Sequence, residues 1–332
     1  MVEAGEATAG RSHFSCQLCG QHHHGDMITM REMMFGTREE FDYFLCDNCC
    51  TLQIAQVPDN LAAYYAADAY YSFGEGTGEA RWKSALKRIC ARGMIGRPEK
   101  YPMGNGPIDL IRRGAEPWIA QVEGLRRDAA VLDVGCGKGT RLEALARLGF
   151  TDLSGVDPFL PATEESTSVQ GIHFFRGELT EIDGHYDLIT MHHSLEHVAE
   201  PRRLLVAARE RLKPGGRIFV RIPLLQDWVW RKYGANWAQI DAPRHFYLMP
   251  QAAFIDLAKS AGLDCISSGT DTLGWSLAWS EAYARNMPMY NSHGQPNALP
   301  FTMSELAEYD RQAQALNAAG EGDQGYFVLS AA

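Results

Sequence analysis

The sequence predicts an α/β fold, a mainly parallel sheet with helices on both faces, preceded by a small cysteine-paired module. Three observations predict it. Short apolar runs near residues 130, 153, 172 and 187 alternate with helical stretches, as strands do when they return through crossovers. The first run, AVLDVGCGKGT from Ala130 to Thr140, ends in an acidic residue and a glycine-rich turn. Four cysteines stand as CQLC (Cys16, Cys19) and CDNC (Cys46, Cys49), with 26 residues between the pairs.

Composition sets the frame. The chain has 332 residues, enough for two domains, with 45% hydrophobic and 22% charged residues, which argues against general disorder. A formal charge of −10 argues against a large phosphate-binding face. There is no apolar run of about 18 residues, so no membrane span is expected. The first residues lack a charged start followed by an apolar core, so they are not read as a secretory signal, and a cytoplasmic location is expected.

Residues 1–13 are small and polar and read as a disordered tail. Residues 14–57 form the module. In a cytosolic chain two C-x-x-C turns at this separation read as a tetrahedral zinc site, held by Cys16, Cys19, Cys46 and Cys49, rather than as two disulfides. Four thiolates leave no open position, so the zinc is structural. Cys50 and His22, His23 and His24 are spare candidate ligands, while Cys90, Cys136 and Cys265 read as packing residues.

Residues 58–107 read as a helical linker. Asp59 or Asn60 can cap a helix carrying Tyr64, Tyr65, Tyr70 and Tyr71, rings that suit either an acceptor pocket or a packing face. A second helix near Ala80 to Arg92 has Trp82, Leu86 and Ile89 on its buried side and basic residues on the other. The main domain is residues 108–332. It opens with one or two helices over Ile108 to Leu125, and then comes the strand at 130.

In the turn after that strand, Gly135, Gly137 and Gly139 can take positive φ and let the backbone approach a ligand, while the helix from Arg141 to Leu148 aims free N–H groups at it. The spacing G-x-G-x-G is not the G-x-G-x-x-G of dinucleotide folds, which argues against a dehydrogenase. LSGVD (Leu153 to Asp157) is a second strand ending in a carboxylate that can accept ribose hydroxyls. IHFF (Ile172 to Phe175) leads to Gly177, Glu178 and Leu179, and YDLITMHHSLEHVAEP carries a fourth strand into a helix from Pro201 to Leu212.

The LDVGCGKG, GVD, GEL and LEHVAEP segments, in this order, resemble the class I methyltransferases that use S-adenosylmethionine (SAM). The resemblance covers roughly Gln121 to the C-terminus. It implies a Rossmann-like sheet whose last strand is antiparallel, with SAM bound by Asp133, Gly135, Cys136, Gly137 and Gly139 at its methionine end. Asp157 would bind the ribose and Glu178 with Leu179 would flank the adenine, with Pro158 and His192 as further cofactor-binding candidates. KPGGRIFVRIP then gives a turn and a fifth strand, Gln251 to Ala261 a helix, Leu263 to Thr270 a sixth strand, and GYFVLSA a last one. The stretch 273–322 is too long for a plain loop and reads as an inserted helical cap.

Chemistry is expected outside the carboxyl ends of the strands, where their order reverses. His192, His193, Glu196 and His197 follow the fourth strand and so fall there. The lid, residues 223–250, is rich in tryptophan and ends in Asp241, Pro243, Arg244, His245 and Tyr247. It resembles the PRH-aromatic segment of bacterial methyltransferases from sugar and surface-polysaccharide clusters, many with a zinc module. That resemblance implies His245 as general base with Tyr247 or Asp241 as helper, and His193 is the second candidate by position. The related sugar C-methyltransferases carry a further C-terminal domain that does not follow here, so oxygen or nitrogen stands beside carbon as acceptor atom.

The expected function is therefore SAM-dependent methyl transfer to a small polar metabolite, such as a nucleotide-linked sugar or a natural-product intermediate, with a histidine base. Two alternatives are an RNA methyltransferase gripping RNA through its zinc module, and a non-catalytic SAM-binding partner protein. Gln17, Leu18, Asp47 and Asn48 at the cysteine turns are not basic, so a nucleic-acid partner is not expected.

Overall fold

A computed structural model describes residues 14–23, 25–65, 117–160, 171–291 and 294–332. The expected tail over 1–13, the helix near Ala80 to Arg92, Tyr70 and Tyr71, Cys90 and His24 lie outside the described residues.

The module starts with β1 (Phe14–Ser15) paired to β2 (His22–His23), followed by the antiparallel strands β3 (Ile28–Arg31), β4 (Glu40–Leu45) and β5 (Leu52–Ile54). The described start of the linker is a single 3-10 turn, Leu61–Tyr65.

The main sheet takes β6 (Ala130–Val134), β7 (Asp152–Asp157), β8 (Ile172–Arg176), β9 (Tyr186–His192) and β10 (Leu212–Pro223) in parallel. All five residues of β6 are buried, as a strand covered on both faces must be. Helix α1 (Thr140–Leu148) turns its Leu142, Leu145 and Leu148 inward, and Gly149 ends it in the left-handed conformation. Helix α2 (Pro201–Glu210) starts with proline in its first turn, where no N–H is missed. It ends two residues short of the expected Leu212, because Leu212 already pairs with Tyr186 in the sheet.

The lid contains helix α3 (Asp227–Tyr233), two 3-10 turns, a cis Ala242–Pro243 bond and a short strand β11 (Tyr247–Leu248). Helix α4 (Gln251–Ser260) precedes β12 (Leu263–Thr270). The expected cap is helical: α5 (Gly274–Ala284) packs against α6 (Met303–Ala319), which is opened by a capping box between Thr302 and Glu305. The last strand, β13 (Gln324–Ala331), inserts antiparallel between β10 and β12. The finished order is β12-β13-β10-β9-β6-β7-β8. The order reverses between β6 and β9, at their carboxyl ends.

One connection was not expected. Strand β11 of the lid pairs with β5 of the module, Leu248 against Leu52, so the module's sheet has the order β11-β5-β4-β3 and is completed by the main domain. Tyr43 seals the joint by donating its buried hydroxyl to the His245 carbonyl at 2.9 Å. Met30, Tyr43 and Leu52 of the module share one apolar core with Trp237, Phe246 and Leu248 of the lid. Among the described residues no helix is long and apolar enough to cross a membrane.

Candidate active site and zinc centre

The cysteine module tests directly against zinc. Cys16 Sγ lies 3.6 Å from Cys49 Sγ and Cys19 Sγ 3.6 Å from Cys46 Sγ, and all four sulfurs lie within 4.8 Å of one another. Sulfurs about 2.3 Å from a tetrahedral ion stand about 3.8 Å apart, so the cluster fits zinc. Gly20 and Cys50 follow the two C-x-x-C turns in the same left-handed conformation, φ 73° and 54°. Cys50 therefore serves the turn, exposed and outside the four-sulfur group. His22 is exposed beside Ser15, and His23 is buried in a stack on Phe44.

At the reversal point a cavity of about 510 Å³ opens. One wall holds Gly135, Asp157, Pro158, Glu178 and Leu179, all expected cofactor contacts. Gly135, Gly137 and Gly139 have φ of 75°, 51° and 75°, which side-chain-bearing residues rarely adopt. A Cβ on Gly135 would also stand 2.5 Å from Ser194 Cβ. The Asp157 carboxylate accepts the N–H groups of Gly137 (3.0 Å) and Phe159 (2.8 Å), which fixes it at the cavity edge. Burial pushes its pKa up, and those N–H groups act in the opposite direction. A glycine cradle beside a held carboxylate is what the methionine and ribose ends of SAM require, so these residues fit that cofactor.

Other expected cofactor residues stand behind this wall. Asp133 is buried and accepts the Thr190 hydroxyl at 2.7 Å. Cys136 packs toward β7 at Gly155. His192 is buried between Trp118 and Phe219, with ring centroids 4.8 and 5.0 Å away, and burial drives its pKa well below the ordinary histidine range.

The same cavity is also lined by His193, Ser194, His197, Ala199 and Phe246, and by Tyr65 and Phe159, whose rings stack at 5.1 Å. His193 sits at φ 51°, a strained position for a histidine, and its Nδ1 is 3.1 Å from Glu196 Oε1. Glu196 is 1% exposed. Burial alone would raise its pKa, but the hydrogen bond from His193 and the neighbouring imidazoles hold it below the usual value. His197 is pushed down to about 4, first by burial and then by His245.

The remaining catalytic candidates lie deeper. His245 is 4% exposed, with Nδ1 2.7 Å from the Gln239 carbonyl. Tyr247 is buried and donates to the Ala199 carbonyl at 2.7 Å. Asp241 holds Arg244 through two hydrogen bonds, of 2.9 and 2.6 Å. None of these three lines the cavity, whereas His193 does. Sequence reasoning missed Ser194, Phe159 and Phe246. Phe159 follows the Asp157 motif directly and could have been included, but Phe246 arrives only through lid folding.

Residues 109–268 match a family model described as a methyltransferase domain. Similar curated proteins include the ubiquinone biosynthesis O-methyltransferase of Bordetella avium (strain 197N), 33% identical over 126 residues, or 34% of this chain and 50% of that protein. That of Acinetobacter baumannii (strain AYE) is 35% identical over 125 residues, covering 34% and 52%. The chain thus spans about half the length of the curated relatives it matches. Among solved structures, the CcbJ methyltransferase of Streptomyces caelestis overlaps 75% of this chain and 99% of that one, at 16% identity and a TM-score of 0.39.

Proposed function

We propose that this protein is a SAM-dependent methyltransferase whose acceptor is a hydroxyl group on a small, partly apolar molecule, with His193 as the general base. The observation that carries the reading is one cavity lined both by the Gly135 and Asp157 cradle and by His193, whose Nδ1 is 3.1 Å from the buried Glu196. When bound, SAM supplies a methyl group on a positively charged sulfur, ready for in-line displacement. Asp157 and Glu178 would hold its ribose and adenine ends, and the turn from Gly135 to Gly139 its methionine end.

The chain's own residues then have two tasks, orientation and proton removal. Glu196 occupies Nδ1 of His193 and leaves Nε2 to take the acceptor's proton, while the buried carboxylate stabilises the imidazolium that results. Val57, Leu61, Tyr65, Leu204 and Phe246 give the acceptor end an apolar lining. Among the described lining residues Arg203 is the one guanidinium or ammonium group, and it is paired with Glu200 at 3.0 Å. This favours an intermediate without a diphosphate over a nucleotide-linked sugar. The relatives' name, O-methyltransferase, agrees with oxygen as the acceptor atom. His245 is placed behind the wall and is proposed as support for it rather than as the base.

The test is incubation with methyl-deuterated SAM and a panel of hydroxylated small molecules, nucleotide sugars and RNA, read by mass spectrometry. Label on a hydroxyl, with turnover lowered about 10²- to 10⁴-fold in His193→Ala at unchanged SAM affinity, supports the proposal. Label on RNA alone, or full turnover in that variant, overturns it.

A further inference from the structure

We infer that Glu196, His197 and His245 form a divalent metal site just behind the cavity wall, separate from the cysteine centre. One ligand atom from each lies within 4.8 Å of the others. The orientation of the two imidazoles is set by backbone carbonyls. His197 Nδ1 is 2.8 Å from the Arg244 carbonyl and His245 Nδ1 is 2.7 Å from the Gln239 carbonyl. A carbonyl at that distance demands an N–H, so each ring carries its proton on Nδ1, that of His197 being shared with the Tyr65 hydroxyl at 3.0 Å as a second acceptor, and each keeps its lone pair on Nε2. This is the outer-sphere arrangement that positions histidine ligands in metal sites.

The facing atoms have no other work. Glu196 Oε2 and His197 Nε2 are buried without a hydrogen-bond partner. His245 Nε2 has its nearest carboxylate oxygens at 4.0 Å (Glu196) and 3.9 Å (Asp241), too far for a hydrogen bond. Asp241 is committed to Arg244. An anionic oxygen kept dry and unpaired is unfavourable, and a cation among the three atoms removes that cost. Glu196 can serve both roles at once: Oε1, which is 4.0 Å from His245 Nε2, holds His193, and the unpaired Oε2 is free for the ion.

Two imidazoles and one carboxylate select Zn²⁺, Mn²⁺, Fe²⁺ or Co²⁺, unlike the four thiolates of the module. Three protein ligands leave positions open, and His197 itself lines the cavity. An ion there would present a Lewis acid toward an acceptor hydroxyl at the His193 and His197 wall. The inference goes beyond the methyl-transfer reading, and its test reads metal, not turnover.

The full chain is loaded with Co²⁺, and bound metal is counted by mass spectrometry while the thiolate-to-cobalt charge-transfer band reports the cysteine site. Two equivalents per chain are expected. Glu196→Gln and His197→Asn, both close in shape to the originals, should weaken the second equivalent at least about tenfold and leave the charge-transfer band intact. A single equivalent in the unmodified chain overturns the site, and so does a second equivalent that binds equally well in both variants.

Discussion

Arg244 of the lid and Glu32 of the cysteine module meet at 3.0 Å with both side chains fully buried. Glu32 also accepts the N–H groups of Phe35 (2.8 Å) and Thr37 (3.0 Å), and Arg244 also donates to Asp241 and to the Tyr64 carbonyl. One ion pair thus ties the loop after β3, the start of the linker and the lid. Removing Glu32 leaves Arg244 with Asp241 as its one carboxylate and strips a buried acceptor from the guanidinium and from the Phe35 and Thr37 N–H groups, which costs about 1–3 kcal/mol. Glu32→Ala should lower unfolding stability by that order in urea titrations. A loss below about 0.5 kcal/mol, the size of an ordinary surface change, would show that the pair does not join the two parts.

Gly135 offers a sharper test of the cofactor wall. Its φ of 75° disfavours any Cβ, and an added one would press on Ser194 at 2.5 Å. Gly135→Ala should therefore displace the turn and lose SAM affinity by at least about tenfold, or about 1.4 kcal/mol. Asp157→Ala should do the same by removing the carboxylate that Gly137 and Phe159 hold in place. Calorimetric titration with SAM measures both, and wild-type affinity in either would disprove the placement of the cofactor.

The cysteine centre should act at a distance. Chelation or Cys46→Ser would release the turns that carry β5, and β5 pairs with β11, which continues directly from His245 and Phe246. The expected result is a lower melting temperature together with lost protection of the Leu248 amide in hydrogen exchange. Loss of zinc without any change at β11 would mean that the module and the lid are energetically independent.

What could be read in the sequence follows from the range of the interactions. The strand ends at Asp133 and Asp157, the glycine turn and the two cysteine pairs are local patterns, and each has its physical reason within about five residues. The limits of β12, Leu263 and Thr270, likewise come from a local run. Tyr65 beside His197, Glu32 against Arg244, and β11 completing the module's sheet join residues far apart in the chain, and no spacing rule points to them. The same limit explains the histidines. The PRH-aromatic resemblance pointed to His245, which is buried, and position after the fourth strand pointed to His193, which lines the cavity; the positive φ of His193 has no signature in sequence.

Acid sensitivity should follow from His192. It is buried beside Trp118 and Phe219, and burial, then the Arg141 and Arg221 charges, hold its folded-state pKa well below 6.5. The unfolded chain takes up a proton near 6.5 and the folded chain does not, so the unfolded state binds more protons as pH falls. Stability is thus at its full value above about 6.5 and declines below it, by about 1.4 kcal/mol per pH unit from this one group, until the folded-state pKa is reached. His192→Phe keeps an aromatic ring in the Trp118 and Phe219 contact but cannot titrate. Urea midpoints between pH 7.5 and 5.5 should fall more steeply for the wild type than for the variant. Equal slopes would mean that His192 is protonated in the folded protein, and that its pocket is open to water.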